Sequence, residues 1–210
     1  FGGQIYLDSA LLKVSEFGGR LGNSDFKTSL TYHLGDSTNS KVNRFKLKSN
    51  KLDFDQIFAY NPPPAGEAIT PQDHEAGFNI FEVPFTNMDF AFDINSLNYH
   101  RYLLDNFVLK GSMQTNHFVY VDTMSFKAAG GEIRLKGYFN GSDPEAIYFS
   151  PEMVVEDVDL DKLLFKFENF GQDHLVSENL HGVLSGTLAG KVHMHADMVP
   201  IIDDSDLHME

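Results

Sequence analysis

Apolar and polar residues alternate with a period of two along most of this chain. Met88, Phe90, Phe92 and Ile94 fall on one side of such a run, and Asp89, Ala91 and Asp93 on the other. Successive side chains of a β-strand point to opposite faces, so the pattern describes a strand with one oily and one charged side. Residues 191–198 repeat it, with Val192, Met194, Ala196 and Met198 opposite His193, His195 and Asp197. Shorter examples are Ile5/Leu7, Phe26/Thr28/Leu30, Phe45/Leu47, Val119/Val121, Met124/Phe126 and Ile133/Leu135. Such strands suit antiparallel sheets covered on one face. The expected fold is therefore mainly β: a curved antiparallel sheet, shaped as a groove or taco, with a few short capping helices.

A second feature is a phrase that occurs twice. Residues 52–58 read Leu-Asp-Phe-Asp-Gln-Ile-Phe and residues 158–164 read Val-Asp-Leu-Asp-Lys-Leu-Leu. Both follow a strand-like stretch and open a helix-like one. Asp53 and Asp159 stand where an N-cap belongs, with Asp55 and Asp161 in the first turn, where negative charge suits the helix dipole. Repetition of this junction predicts one β-rich domain over 1–210 built from two related segments, about 1–60 and 78–167. Residues 61–77 hold four prolines and cannot form a central strand, so they read as the loop that joins them. Gly18-Gly19, Gly130-Gly131 and Asn140-Gly141-Ser142 read as turns. So do Gly182, Gly186 and Gly190, as part of a hairpin, and Tyr99–Leu104 reads as a further helical turn.

Composition removes several function classes. The formal charge of −14 opposes binding to nucleic acid and simple docking on anionic lipid. There are no cysteines, hence no disulfide, thiolate metal site or cysteine nucleophile. Nineteen Phe and no Trp point to wide apolar surfaces. No run approaches the ~18 apolar residues of a membrane span. The chain starts at Phe1 and stops in a strand-like stretch, which reads as a piece of a longer protein.

In the order of its elements the chain resembles the C-terminal region of AsmA-like proteins of the Gram-negative envelope. The duplicated phrase carries the resemblance, together with PFTNMDFAFDINSLNYHRYLLDNFVLKG at 84–111 and MSFKAAGGEIRLKGYFN at 124–140. It covers most of the chain from about residue 40 onward. The resemblance implies a periplasmic segment, tethered to the inner membrane by an N-terminal helix outside this chain. It also implies kinship with bridge-like lipid-transfer proteins, whose curved sheets form a groove with an apolar floor. Its partners would be phospholipid or another acyl lipid, adjacent segments of the same protein and other envelope proteins. Its work would be outer-membrane assembly or lipid homeostasis, without cofactor or catalysis.

The residues of such a groove would be Met88, Phe90, Phe92, Ile94, Val192, Met194 and Met198. Apolar alternation also builds closed sandwich cores, so a closed scaffold or interaction module stays open as the alternative. Other chemistry has plainer explanations. His193 and His195 could begin a metal site, yet a solvated strand face accounts for them with no third ligand in view. The Asp53/Asp55 and Asp159/Asp161 pairs could form carboxylate dyads, yet capping explains both copies. The acidic run 203–206 does not match a calcium-loop spacing. No P-loop, dinucleotide fingerprint, nucleophile elbow or zincin motif is present.

Overall fold

The computed structural model describes residues 1–36, 40–57, 79–99, 102–162, 181–196 and 200–209. Eleven strands lie side by side in chain order in one open, curved sheet. They are β1 (Gly2–Leu7), β2 (Leu11–Leu21), β3 (Ser24–His33), β4 (Asn43–Asp53), β5 (Met88–Tyr99) and β6 (Tyr102–Met113), then β7 (Phe118–Ala128), β8 (Gly131–Asn140), β9 (Tyr148–Asp159), β10 (Val183–Met194) and β11 (Pro200–Met209). A single-turn helix, α1 (Phe54–Ile57), follows β4, and a 3-10 turn, Ile80–Glu82, precedes β5. Residues 160–162 are helical after β9.

The mainly β expectation holds, with one change of topology. Every neighbouring pair is antiparallel except β4 and β5, which run parallel, Phe45 facing Phe90 and Leu47 facing Phe92. A parallel pair needs a crossover back to the same end of the sheet. The stretch between Asp53 and Met88 supplies it, and the Pro-rich residues 61–77 fall there, outside the described residues. The second junction returns differently. β10 starts at the end where β9 stops, with Val183 beside Asp159, so that pair is antiparallel.

Three local readings are corrected. Gly18 and Gly19 lie inside β2, opposite Lys27 and Phe26, rather than in a turn. Gly186 and Gly190 lie inside β10. Tyr99 and Tyr102 face one another across the β5–β6 hairpin, so no helix forms there. In each case strand pairing outweighs local glycine or aromatic preference. Ala129 and Gly130 do form the β7–β8 turn, with φ of 52° and 84°.

Alternation lapses once in several long strands, and the lapses are systematic. Exposed Asn50–Lys51 separate buried Ser49 and Leu52, Asp105–Asn106 separate Leu104 and Phe107, and Glu156–Asp157 separate Val155 and Val158. Asn106 and Asp157 both take φ of 53°. At Asp105–Asn106 against β7 and at Glu156–Asp157 against β10 the register slips by one residue, so these are bulges: the extra residue turns the following side chains back to the same face and bends the strand. At Asn50–Lys51 β4 has left the β3 ladder and keeps its register with β5. A bulge removes main-chain N–H groups from the ladder, and a neighbouring side chain takes them up. Ser29 Oγ accepts from Glu16 N at 3.3 Å, Ser185 Oγ from Asp157 N at 2.9 Å, and Ser205 Oγ from His193 N at 3.0 Å. Asp25 serves β4 most fully. Its Oδ1 accepts from Asn50 N at 3.0 Å and Lys51 N at 2.8 Å, and its Oδ2 from Asn50 Nδ2 at 2.9 Å.

Buried residues gather at the two ends of the strands. At one end Leu52, Ile94, Leu97, Leu104 and Phe107 pack with Phe54 and Ile57 of α1. Ala129, Ile133, Val155 and Val158 form a second cluster beside the β7–β8 turn. At the other end Ile80 of the 3-10 turn packs on Phe139 and Ile147.

Partial burial pushes the Asp25 carboxyl up, but its hydrogen bonds from Lys51, Asn50 and Ser49 outweigh this and hold it below the ordinary 3.8. A carboxyl depressed by folding stabilises fully above its unfolded pKa, and loses that contribution as pH falls through its folded value. Asp25→Ala should therefore cost about 1–3 kcal/mol at neutral pH. Urea titrations should show the gap between wild type and variant shrinking below pH 3.8. An unchanged gap in acid would show that Asp25 does not act as a carboxylate.

Candidate functional site: an open apolar face

Residues directly opposite in adjacent strands share a face. The register therefore joins separate strands into rows. One row runs Leu47, Phe92, Leu109, Met124, Leu135, Met153, Leu188 and Met209, from β4 to β11 without a polar interruption. Thr28 and Phe17 extend it to β2. At roughly 4.8 Å per strand its nine steps cover roughly 43 Å. A parallel row runs Leu30, Phe45, Phe90, Gly111, Val121, Gly137 and Pro151. Phe92 meets Phe45 edge-on at 5.9 Å and lies 5.7 Å from Phe90.

Apart from buried Gly111 and Pro151 the central rows remain half-buried up to Leu188, and Met209 at the sheet edge is exposed. The opposite face carries charge, with Lys48 3.3 Å from Asp93, Lys136 2.8 Å from Glu152 and Arg44 3.9 Å from Asp89. These pairs are exposed, so they add little stability but mark that side as the wetted one.

The glycines of the second row explain its shape. A Cβ on Gly111 would collide with the carbonyl oxygen of Tyr120 and lie 2.8 Å from Phe90 Cζ. A Cβ on Gly137 would collide with the carbonyl oxygen of Ser150, and one on Gly190 with that of Asp206. A strand glycine that admits a neighbouring backbone marks a tight bend. Gly111 and Gly137 lie in the same row, so the bend runs across the strands. A sheet bent about that line is a trough whose long axis follows the apolar rows.

The residues expected to line a groove divide. Met88, Phe90 and Phe92 share the half-buried face. Ile94 does not line it: at 1% exposure it belongs to the core that α1 covers, because the α1 side chains Phe54 and Ile57 pack over that end of β4 and β5. Val192 faces Phe149 and is half-buried. Met194 packs into the cluster of Ile80, Phe139 and Ile147, and its N–H donates to the Ile147 carbonyl at 3.1 Å. Met198 lies outside the described residues. Sequence reasoning missed Leu109, Met153 and Leu188 as members of one row. Their strands alternate visibly, but only the pairing register sets them opposite one another.

The capping aspartates act as the spacing predicts. Asp53 Oδ1 accepts from Gln56 N at 3.1 Å, and Asp159 Oδ1 accepts from Lys162 N at 3.1 Å. The side-chain hydrogen bond from Asn98 lowers the Asp53 pKa, aided by Gln56 N; for Asp159 the side chain of Lys162 does so first. Asp55 accepts from Asn98 Nδ2 at 3.2 Å, and Asp161 pairs with His181. His193 lies against the Tyr148 ring at 6.2 Å. Among the described residues no three His, Asp or Glu converge as metal ligands, and every fully enclosed side-chain N or O has a hydrogen-bond partner. A shallow open hollow lies along β1 and β2, between Gln4, Ile5 and Ser15, apart from the phenylalanine rows.

No family model, curated protein or solved structure matches the chain.

Two outcomes follow from this geometry. Gly137→Ala forces a methyl against the Ser150 carbonyl, and overpacking of this kind costs about 1–3 kcal/mol in thermal or urea unfolding. Full wild-type stability in that variant would show that the sheet is not closely bent there. Asp53→Ala should cost about 1 kcal/mol and Asp53→Asn less, since Asn also caps. Asp159→Ala should destabilise in the same direction. The capping role fails if Asp53→Asn is as damaging as Asp53→Ala.

Proposed function

We propose that this chain binds acyl lipid along its open apolar face, as a non-catalytic segment of a lipid-handling protein of the bacterial envelope. The carrying observation is the row of half-buried apolar side chains that crosses from β4 to β11. Covering each methylene of a ligand contributes roughly 0.8 kcal/mol, so area alone can hold an acyl chain. A smooth row without convergent polar groups gives no fixed headgroup site, which suits a ligand that slides. The resemblance to AsmA-like proteins agrees with this reading. On it the segment works in the periplasm, on a protein held at the inner membrane by a helix outside this chain, and serves the lipid balance of the outer membrane.

The alternative is an interaction module, in which exposed sheet edges join other strands. The exposed apolar side chains of β1 favour that second reading.

Leu135 separates them. It sits mid-row, half-buried, and outside the three buried clusters. Leu135→Glu should leave the protein folded, with little change in melting temperature. Photo-crosslinking to a photoactivatable phospholipid should fall by about tenfold or more, because covering an unpaired carboxylate costs over about 1.4 kcal/mol. Undiminished labelling in a folded variant, or no labelling of the wild type, sinks the lipid reading.

A further inference from the structure

The charged face of the sheet is not charged throughout. Register sets Asp89, Ser112, Tyr120, Tyr138 and Ser150 in one row, so both tyrosines lie on the side of the Arg44–Asp89 pair. The next row runs Phe118, Asn140, Tyr148 and His193. Five rings therefore meet across β7 to β10, over roughly 14 Å. Phe118 to Tyr120, Tyr120 to Tyr138 and Phe118 to Tyr138 measure 6.1, 6.4 and 6.5 Å, with planes 19°, 35° and 18° apart. A face-to-face pile would hold its outer pair at twice the inner spacing, so these three lie side by side. Tyr148 meets Tyr138 edge-on at 5.9 Å, and His193 lies 6.2 Å from Tyr148. Tyr120 is 37% exposed and the other four are half-buried. A contiguous aromatic patch on a wetted face marks a contact site.

Polar groups sit among the rings. Tyr148 Oη accepts from Asn140 Nδ2 at 3.1 Å, which leaves its own proton for a ligand. Ser150 Oγ donates to the Gly190 carbonyl at 3.1 Å and keeps its lone pairs. Lys191 Nζ lies 4.0 Å from the centre of the Tyr148 ring, and Asp206 stands opposite Lys191 in register, so the patch is close to neutral. Nucleic acid stacks on rings beside a cationic groove, which a neutral patch on a chain of −14 does not offer. A peptide strand adds at a sheet edge, whereas β7 to β10 are paired on both sides. A sugar chain fits: its C–H faces are apolar, its hydroxyls match Tyr, Asn and Ser, and it needs no countercharge. Small-molecule sites are concave and enclose their ligand. Rings on the back of a bent sheet offer a surface instead, which suits several linked sugars.

We propose that the aromatic strip of β7 to β10 binds an uncharged polysaccharide chain. The site lies on the face opposite the apolar rows and does not rest on the lipid reading. The chain has no tryptophan, so its tyrosines report binding by their own fluorescence. Wild type is titrated with cellohexaose, chitohexaose and maltohexaose, and with the matching disaccharides. At least one hexamer should bind, and its disaccharide should bind about tenfold more weakly or less. Tyr120→Ala with Tyr138→Ala should weaken hexamer binding by about tenfold or more. Aromatic pairs across strands also steady a sheet, so the readout is sugar affinity and not the melting temperature. Amide NMR shifts caused by the hexamer should centre on Phe118, Tyr120, Tyr138 and Tyr148. Failure of all three hexamers to bind, undiminished binding in a folded double variant, or shifts centred elsewhere overturns the proposal. If the double variant does not fold, the shift map of the wild type decides alone.

Discussion

A strand has two faces, and a sheet of eleven strands holds together as an amphipathic layer only if each puts its oily side on the same one. A slip of one residue in any register would turn a whole strand's apolar set into water. Strict alternation would achieve the match only for short, straight strands. Here alternation lapses at Asn50–Lys51 and at bulges over Asp105–Asn106 and Glu156–Asp157, and the phase recovers on the far side of each. Ser49 and Leu52, or Val155 and Val158, can then both point inward although three positions separate them. The same devices bend the strands, so phase control and curvature have one cause.

Bulging has a cost in unpaired N–H groups, and the sequence meets it with short polar side chains on neighbouring strands. Asp25, Ser29, Ser185 and Ser205 each accept from main-chain nitrogens at a lapse in alternation. Ser24, fully buried, accepts from Asp53 N at 2.9 Å, where β4 gives way to α1. Asp53 then caps that helix and takes Asn98 Nδ2 at 3.0 Å, which ties the helix start to β5. One chain of polar contacts thus links β3, β4, α1 and β5 beside a core cluster.

The strands and both helix starts were legible in the sequence because their signals are local: period two in one case, Asp three residues before its donor in the other. The parallel β4–β5 pair was not legible, since Phe45 and Phe90 give no sign of direction and the crossover between them is irregular. Strand glycines were misread as turns for a related reason. Gly18 and Gly190 look like turn residues until the neighbouring backbone is seen against them. The groove residues show the same division. Phe90 and Phe92 were visible as one face of one strand, but Ile94 continues their period and is nonetheless core. Its fate was decided by Phe54 and Ile57, which reach it through tertiary packing.

That division also bears on why, among the described residues, no second layer covers the middle of the apolar face. Compact clusters cover its two margins at the strand ends: α1 over β4 and β5, and the 3-10 turn over Phe139 and Ile147. Between them, within the described residues, Leu109, Met124, Leu135 and Leu188 are only half-buried, although Leu109 and Met124 touch the cluster beneath α1. A row built for a closed core would be expected to bury such residues as fully as Ile94 or Val158, at 1% and 0% exposure. Glycine and proline at Gly111, Gly137 and Pro151 also lower the floor where a core would call for bulky side chains. Clusters along both margins with a half-buried middle leave a strip of apolar surface that runs across the strands, which a self-sufficient core would have buried.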